Sequence, residues 1–462
     1  MCHALTHRKA PSRMIRHMVC IMPAALVAAL LAACILAPML LGWALVGWAR
    51  PWWDEVAGAL GLIGCAAMLT NGQLSGRFRY LSGALGVDRT LRWHQILGTI
   101  AAIAVLLLHP FLYSESYGPA FLRPDDPTHA SALGLGPWSI TTGMLAWVLF
   151  GLLTLTALRR TDTRWRYETW RGRHGLFAGL LAALALHHAL VAGRYAANPA
   201  VAGMLVMLTL PVFVTLLDSW LLRPLRLSRR PWTIAGIRPA AEGCWEISLE
   251  PVGHPGLAYA PGQFAWVKLA CGPFSRVEHP FSFTSAPADG ARLRFTIKQS
   301  GDFTDHIGEL AVGTPAWVDG PHGHLDRAID GAPGLVFLTG GVGVAPAISM
   351  IRALAPQAAP PMLLLYGTRN APQLIARAEL EQWAARGRLD LTMVLAEPPA
   401  GWAGETGMLD AARIARHCAP AADAGWVFVL CGPPPMLHAA EAALRQLNVP
   451  RHRILAERFT FD

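Results

Sequence analysis

Four histidines lie inside apolar runs of this chain at paired spacings: His94 with His109, and His174 with His188, whose neighbour His187 is also a histidine. Ionisable side chains are costly in hydrocarbon and are kept there mainly when they have a partner or a task. Four turns of α-helix take about 14.4 residues and rise about 21–22 Å. The intervals of fifteen and fourteen residues therefore return each pair to roughly one helix face. That rise nearly crosses the ~30 Å hydrocarbon core of a bilayer. Two such helices running parallel would set His94 opposite His174 and His109 opposite His188. Each pair could then grip one haem iron from both sides, as bis-imidazole ligation requires. His187, thirteen residues from His174, points away from that face in a straight helix. His188 is therefore the preferred ligand, although a local π-bulge would reverse the choice. Any one of these histidines alone could be a satisfied polar group at a helix contact; the four together point to metal ligation.

The elements that must hold them are read from hydropathy. The chain has 462 residues, is 53% hydrophobic and has a mean hydropathy of +0.35, too apolar for an ordinary soluble protein. Apolar residues concentrate before residue 222, in runs near 18–48, 56–74, 94–113, 138–158, 174–193 and 200–222. Each is long enough to span, which predicts six transmembrane helices. Basic residues flank alternate ends: Arg8, Lys9, Arg13 and Arg16; Arg77, Arg79, Arg89 and Arg92; Arg159, Arg160, Arg164, Arg166, Arg171 and Arg173. The positive-inside rule puts these segments, the N-terminus and everything after Arg223 in the cytoplasm. The segment 114–137, with Glu115, Asp125, Asp126 and His129, falls on the outer side. The net charge of +9 follows from this topology and from attraction to anionic lipid, so a lipid bilayer is the expected partner and nucleic acid is not. Leu31-Ala32-Ala33-Cys34 resembles a lipoprotein cleavage site, but apolar sequence continuing to Trp48 favours an uncleaved helix. Eight cysteines are scattered without a C-x-x-C pair, which excludes zinc-finger spacing and a plant-type iron–sulfur pattern.

From about residue 228 the pattern changes to short strands broken by Gly and Pro: 245–250, 264–269, 292–298 and 316–319. This predicts a small antiparallel β-barrel. After Gly331, apolar strands at 334–339, 362–366 and 426–430 alternate with helical stretches, the pattern of a parallel α/β sheet. The expected division is 1–227 for a transmembrane haem-binding domain, 228–330 for the barrel and 331–462 for the α/β domain. Leu335–Thr339 runs into Gly340, Gly341, Gly343 and Pro346 before a helix, where backbone can approach a pyrophosphate. Val427–Leu430 leads to Cys431, Gly432 and Pro433, a thiol and a tight turn beside the first loop. Together the two segments indicate a nicotinamide dinucleotide site. In the barrel, His279, Pro280, Phe281 and Ser282 offer a ring and a hydroxyl that can stack on a flavin and bond its edge, and Gly301 to Thr304 adds a turn with backbone donors.

The order of Pro261-Gly262-Gln263-Phe264, His279-Pro280-Phe281-Ser282, Gly301-x-x-Thr304, Gly340-Gly341-x-Gly343-x-Ala345-Pro346 and Cys431-Gly432-Pro433 resembles the ferredoxin–NADP reductase superfamily. Preceded by six apolar helices with paired histidines, the whole resembles a ferric reductase or NADPH oxidase, bacterial in type. The resemblance implies FAD, NADPH or NADH and two b-type haems as cofactors. It places His279 to Ser282 at the flavin, with Ser282 near the isoalloxazine, and Gly301 and Thr304 at the FAD pyrophosphate. Gly340 to Pro346 and Cys431 to Pro433 would meet the nicotinamide cofactor, Cys431 near its reactive carbon. Arg369, in Tyr366-Gly367-Thr368-Arg369, matches a position that can meet a 2′-phosphate, which tilts the choice to NADPH. A C-terminal aromatic, Phe461 in preference to Phe459, would cover the flavin.

NADPH gives up two electrons as hydride and haem iron takes one, so FAD must split the pair in a chain without iron–sulfur cysteines. The expectation is electron transfer from cytoplasmic NAD(P)H through FAD, then an inner haem at His94 and His174, then an outer haem at His109 and His188. The acceptor would be a ferric chelate or dioxygen at the outer face of a bacterial inner membrane, with a quinone or protein partner as the alternative. Arg92 and Arg173 are candidates for haem propionates, and Arg194 for an anionic acceptor. A haem-bearing sensor that binds nucleotide without turnover is the rival of another class.

Overall fold

Each apolar run folds as a helix because a hydrocarbon-facing backbone must satisfy its own hydrogen bonds. The computed structural model describes residues 24–48, 52–75, 86–112, 137–160, 165–357 and 359–458. Phe459, Phe461, the acidic segment with Glu115, Asp125, Asp126 and His129, and the basic N-terminus lie outside the described residues. The helices are α1 (Ala24–Val46), α2 (Trp52–Asn71), α3 (Val87–Ala102), α4 (Pro137–Leu158), α5 (Tyr167–Ala192) and α6 (Pro199–Leu217). With the extensions of α3 to Leu112 and of α6 to Ser228, all six are long and apolar enough to cross a membrane.

Two of these helices are extended by π-helical turns. α3 continues through a π segment, Ile103–Leu108, into a last α-turn, His109–Leu112. α6 continues through Asp218–Leu222 into Arg223–Ser228. Where α2 to α5 meet, the buried contacts are mainly small: Ala67, Ala101, Ala102 and Ala146, with Phe150, Leu153 and Leu181 filling between them. Without a hydrophobic drive between helices in lipid, close backbone approach of this kind is the main source of packing energy.

The chain divides into two compact units: residues 1–85, 89–163 and 173–215 in the first, and 86–88, 164–172 and 216–462 in the second. Past residue 231 the second unit is built on two sheets. β1 (Trp232–Ala241), β2 (Cys244–Pro251), β3 (Phe264–Leu269), β4 (His279–Ser282), β5 (Leu293–Lys298) and β6 (Pro315–His322) form an antiparallel sheet in the order β4-β3-β6-β1-β2-β5. A bridge between Phe283 and Phe295 brings the end of β4 back to β5, curling the sheet into a barrel. Alternate inward residues supply its core: Ile234, Ile247, Leu249, Val267, Phe283, Phe295 and Ile297 are each at most 2% exposed.

The parallel sheet then follows with β7 (Leu335–Gly340), α7 (Ala345–Leu354), β8 (Met362–Thr368), α8 (Arg377–Ala385), β9 (Asp390–Leu395), β10 (Glu405–Thr406), α9 (Ala411–Asp423), β11 (Val427–Cys431), α10 (Pro434–Gln446) and β12 (Ile454–Glu457). Its order is β10-β9-β8-β7-β11-β12. Both faces are covered, so β7 is buried at every position, as a central strand of a parallel sheet must be. From β7 the chain steps one way to β8 and later the other way to β11, so the topological switch point lies between β7 and β11. Ligands of open α/β sheets bind outside the carboxyl ends of the strands at such a point.

Candidate functional site

The histidine pairs form as the spacing predicts. The rings of His94 and His174 have centroids 6.3 Å apart, and those of His109 and His188 6.4 Å apart. Each pair is nearly edge-on, at interplanar angles of 72° and 76°. Two nitrogens held by one metal at about 2 Å on opposite sides lie about 4 Å apart, and two ring radii bring the centroids to roughly 6 Å. The pairs therefore stand at a separation that suits bis-imidazole ligation.

The unequal spacings are reconciled by the π segment. In a uniform α-helix, fourteen residues end about 40° short of four turns and fifteen about 60° beyond. A π-turn accommodates one extra residue, and it falls between His94 and His109. The longer interval on α3 is thereby brought into phase with the shorter one on α5. A bulge on α5 would have favoured His187 over His188; the π segment lies instead on the helix of His94 and His109, and Tyr167–Ala192 is one α-helix. Trp147 of α4 donates its indole N–H to the carbonyl of Leu106, inside the π segment, at 3.1 Å. His187 points elsewhere, its Nδ1 lying 3.1 Å from the Thr142 hydroxyl.

Backbone carbonyls orient the rings. His109 Nδ1 lies 2.8 Å from Ala57 O, His188 Nδ1 2.8 Å from Ser139 O, and His94 Nδ1 3.1 Å from Asn71 O. A carbonyl only accepts, so in each case Nδ1 carries the proton and Nε2 keeps its lone pair. This is the outer support that ligating histidines usually have. Space for the rings comes from glycine: a Cβ on Gly61 would sit 2.5 Å from His109, and one on Gly143 2.6 Å from His188. Nothing in a single-residue reading picks out Ala57, Ser139 or Asn71, whose carbonyls do this work. The glycines leave a signal, since Gly58, Gly61 and Gly64 repeat every third residue of an apolar helix. A cavity lined by Gly61, Val105, His109, Gly143, His188 and Tyr195 opens between these helices.

Arg194 does not present a free charge. It pairs with Glu55 at 3.3 Å, a carboxylate only 1% exposed, and the Tyr195 hydroxyl donates to the same group. Arg92 and Arg173 are exposed.

In the barrel, the segments at 279–282 and 301–304 come together. β4 pairs with β3 so that Ser282 faces Phe264 and His279 faces Val267. The His279 ring stacks on Phe303, 4.3 Å between centroids and 15° between planes. Pro280 and Phe281 sit half-buried between them and Ser282 is buried. Burial lowers the His279 pKa from its ordinary value, outweighing the opposite pull of nearby carboxylates including Glu278. Gly301 adopts φ +98°, a conformation that side chains disfavour. The Thr304 hydroxyl closes the turn by accepting from Ser300 N at 2.8 Å.

The glycine turn and the cysteine turn also meet, at the switch point. Thr339 and Cys431 are register partners on β7 and β11. A Cβ on Gly343 would lie 2.4 Å from Cys431 O, so only glycine lets the two turns touch. Gly340, Gly341 and Gly343 lead directly into α7, with Pro346 in its first turn, and Gly432 and Pro433 lead into α10. Cys431 is 2% exposed, and burial, then the charge of Glu457 beside it, pushes its thiol pKa well up. Glu457 is its register partner on β12 and is itself buried; no sequence motif marks this carboxylate. Arg369, at the end of β8, pairs with Glu397 after β9 at 2.9 Å, both side chains exposed.

Among the described residues there is no group of three or more His, Cys, Asp or Glu side chains poised for a metal; the paired imidazoles are sets of two.

A family described as the ferric reductase-like transmembrane component matches residues 57–185, and one described as the oxidoreductase NAD-binding domain matches residues 337–442. The ferredoxin–NADP reductase B of Sorangium cellulosum is 31% identical over 237 residues, 49% of this chain and 96% of that protein. NADH-cytochrome b5 reductase 1 of Laccaria bicolor is 30% identical over 179 residues, 37% of this chain and 58% of that protein. The chain thus spans little more than half the length of the latter. The crystal structure of the cytochrome b5 reductase domain of Ulva prolifera nitrate reductase aligns at 19% identity with a TM-score of 0.44, over 50% of this chain and 98% of that one.

Proposed function

The chain belongs to the ferric reductase and NADPH oxidase family, a ferric reductase-like transmembrane component joined to a ferredoxin–NADP reductase-type module, and from that premise we propose that it carries electrons from NAD(P)H across a membrane. The donor side is the cytoplasm, the membrane a bacterial inner membrane, and the acceptor a ferric chelate or dioxygen at the opposite face. The working division is a transmembrane haem domain over 1–227, a flavin barrel over 228–330 and a nucleotide domain over 331–462.

The observation that carries this reading is the two pairs of facing imidazoles, with ring centroids 6.3 and 6.4 Å apart, at two levels of one helix bundle. His94 with His174, and His109 with His188, would each hold one b-type haem. FAD when bound supplies the conversion of a two-electron hydride into single electrons, which the haems can carry. The protein's own part is positioning. Ala57, Ser139 and Asn71 fix three imidazoles with Nε2 free of a proton. Ser282, Gly301 and Thr304 would meet the flavin, and His279 stacked on Phe303 would brace them. The α7 N-terminus with Gly340, Gly341, Gly343 and Pro346 would take the pyrophosphate of NADPH or NADH. Cys431, neutral and buried, would form an apolar wall beside the nicotinamide with Gly432 and Pro433, and Phe461 would cover the flavin.

The test is an anaerobic absorbance titration of detergent-purified protein, supplied with FAD and haem, by stepwise NADPH and separately NADH. Reduction of two haem equivalents per chain is expected. Haem that dithionite reduces but neither nucleotide does would refute the route and leave a haem-bearing sensor in its place.

A further inference from the structure

The helix that follows the glycine turn is bonded sideways to the segment that follows the flavin motif. Ser349 and Arg352 lie three residues apart on α7 and therefore on one face. Ser349 Oγ donates to Ser285 O at 2.7 Å, and Arg352 Nη1 donates to Thr284 O at 2.6 Å. Thr284 and Ser285 follow β4 after Phe283 and are 1% and 0% exposed.

Both ends of this connection are held. On the helix side, the remaining edge of the Arg352 guanidinium forks onto Glu379 of α8, Nε to Oε1 at 2.8 Å and Nη2 to Oε2 at 2.6 Å. On the barrel side, Thr284 N donates to Arg294 O at 2.8 Å, and Ser285 Oγ accepts from the Tyr259 hydroxyl at 2.7 Å and from Arg294 N at 3.1 Å. Met350, on the same helix, abuts the turn at Gly262, where a Cβ would lie 2.9 Å from its sulfur. Apolar packing alone would hold these layers together. Directional bonds to two successive carbonyls add something apolar packing lacks, a fixed register along and around the helix axis.

We propose that Ser349 and Arg352, with Arg352 locked by Glu379, are positioning residues for hydride transfer: they set where the nucleotide-binding helix stands relative to the flavin segment. This rests on the reading of the module as an NAD(P)H–flavin reductase. A helix is rigid over its ten residues, so a shift at Arg352 is passed to the α7 N-terminus, where the cofactor pyrophosphate would sit. Reacting atoms must approach within about 3–3.5 Å, and a misplacement of 1 Å from a remote change can cost about 100-fold in rate. The effect belongs to the rate of transfer and not to nucleotide affinity, because neither side chain is part of the glycine turn.

The test uses the full-length protein in detergent, loaded with FAD, in anaerobic stopped-flow reduction by NADPH or NADH. R352Q is expected to lower the limiting rate of flavin reduction about 10- to 100-fold, with FAD content and the half-saturating nucleotide concentration within about threefold of wild type. R352K should recover part of the rate, and S349A, which removes one hydroxyl, should show a smaller loss of the same kind. An R352Q protein that reduces its flavin at the wild-type rate overturns the proposal. If R352Q sheds FAD or fails to fold, S349A decides: a wild-type rate with FAD retained also overturns it. Wild-type flavin that neither nucleotide reduces would sink the reductase reading itself and this proposal with it, whereas normal wild-type reduction matched by the variants would sink this proposal alone.

Discussion

Gly143→Ala isolates the support of the outer histidine pair. The added Cβ would sit 2.6 Å from His188 Nδ1 and 2.7 Å from its Cε1, where ordinary contact begins at 3.4 Å. The ring must therefore retreat by about 0.8 Å or rotate, and either movement strains its 2.8 Å bond to Ser139 O. Loss of outer support of this kind typically costs about 10- to 100-fold in metal affinity, or about 1.4–2.7 kcal/mol. Haem per chain, measured on detergent-purified protein under increasing competition from apomyoglobin, should fall toward half in the variant. The inner pair, His94 and His174, should keep its haem. Gly151 lies on the same helix with open space where its Cβ would go, so G151A is the matched control and should leave both haems in place. Retention of two equally tight haems by G143A would refute the argument that glycine is there to seat the ring.

Trp147→Phe removes the indole donor to Leu106 O in the π segment; the loss of about 1 kcal/mol expected for one hydrogen bond should appear as a lower melting temperature and easier haem loss, and an unchanged melt would contradict it. Glu397→Gln frees Arg369 from an exposed ion pair; such pairs are worth about 0–1 kcal/mol, so the NADPH:NADH ratio of kcat/KM should rise by up to about fivefold, while Arg369→Ala should lower it. Burial, then Glu457, raises the Cys431 thiol, so it should resist iodoacetamide at pH 8 in the folded protein, and rapid alkylation there would show the thiolate to be accessible. Glu379 is pulled up by burial but drawn further down by its hydrogen bond and charge pairing with Arg352, ending below the ordinary carboxylate value. A depressed carboxyl contributes stability that is present above its unfolded pKa and is lost as pH falls through the folded value. The gap in melting temperature between wild type and R352Q should therefore be constant above about pH 5 and close at more acid pH; a gap that widens on acidification would reverse the sign.

Much of this arrangement is legible in the sequence because it is periodic or because glycine marks it. Six apolar runs fold as six helices, and His94, His109, His174 and His188 meet in the expected pairs, since 3.6-residue periodicity and bilayer thickness together leave few alternatives. The glycine turn and the Cys431 turn meet because parallel strands with buried faces must bring their carboxyl ends to one edge. Other features leave no pattern. β1 contains Arg238 and Pro239 and does not alternate cleanly, so periodicity passes over it. The π segment is seen only as an unexplained extra residue between His94 and His109. Partners such as Ala57 O and Ser139 O are main-chain atoms, and any residue type supplies a carbonyl. Arg352 and Glu379 are distant in sequence, and their joint grip on Thr284 exists only once the two sheets are formed.

The choice of carbonyls as partners for the histidines has a physical logic of its own. A carboxylate would orient an imidazole equally well, but within the hydrocarbon region it would bring a charge whose burial costs several kcal/mol. A helix carbonyl near its own i+4 donor retains a second lone pair, so it can accept from Nδ1 at no such cost. It also cannot titrate. The tautomer of His94, His109 and His188 is therefore set by groups that hold their acceptor character at every pH the membrane meets. The requirement this imposes is geometric: the carbonyl must be within reach, which means the neighbouring helix must come close. Gly61 of α2 and Gly143 of α4 allow that approach at the outer pair, and the small Ala67, Ala101 and Ala146 allow it between the two levels. Glycine on the neighbours, an extra residue on α3 and a carbonyl at three of the four rings are thus parts of one solution, neutral support for imidazoles in a medium that penalises charge.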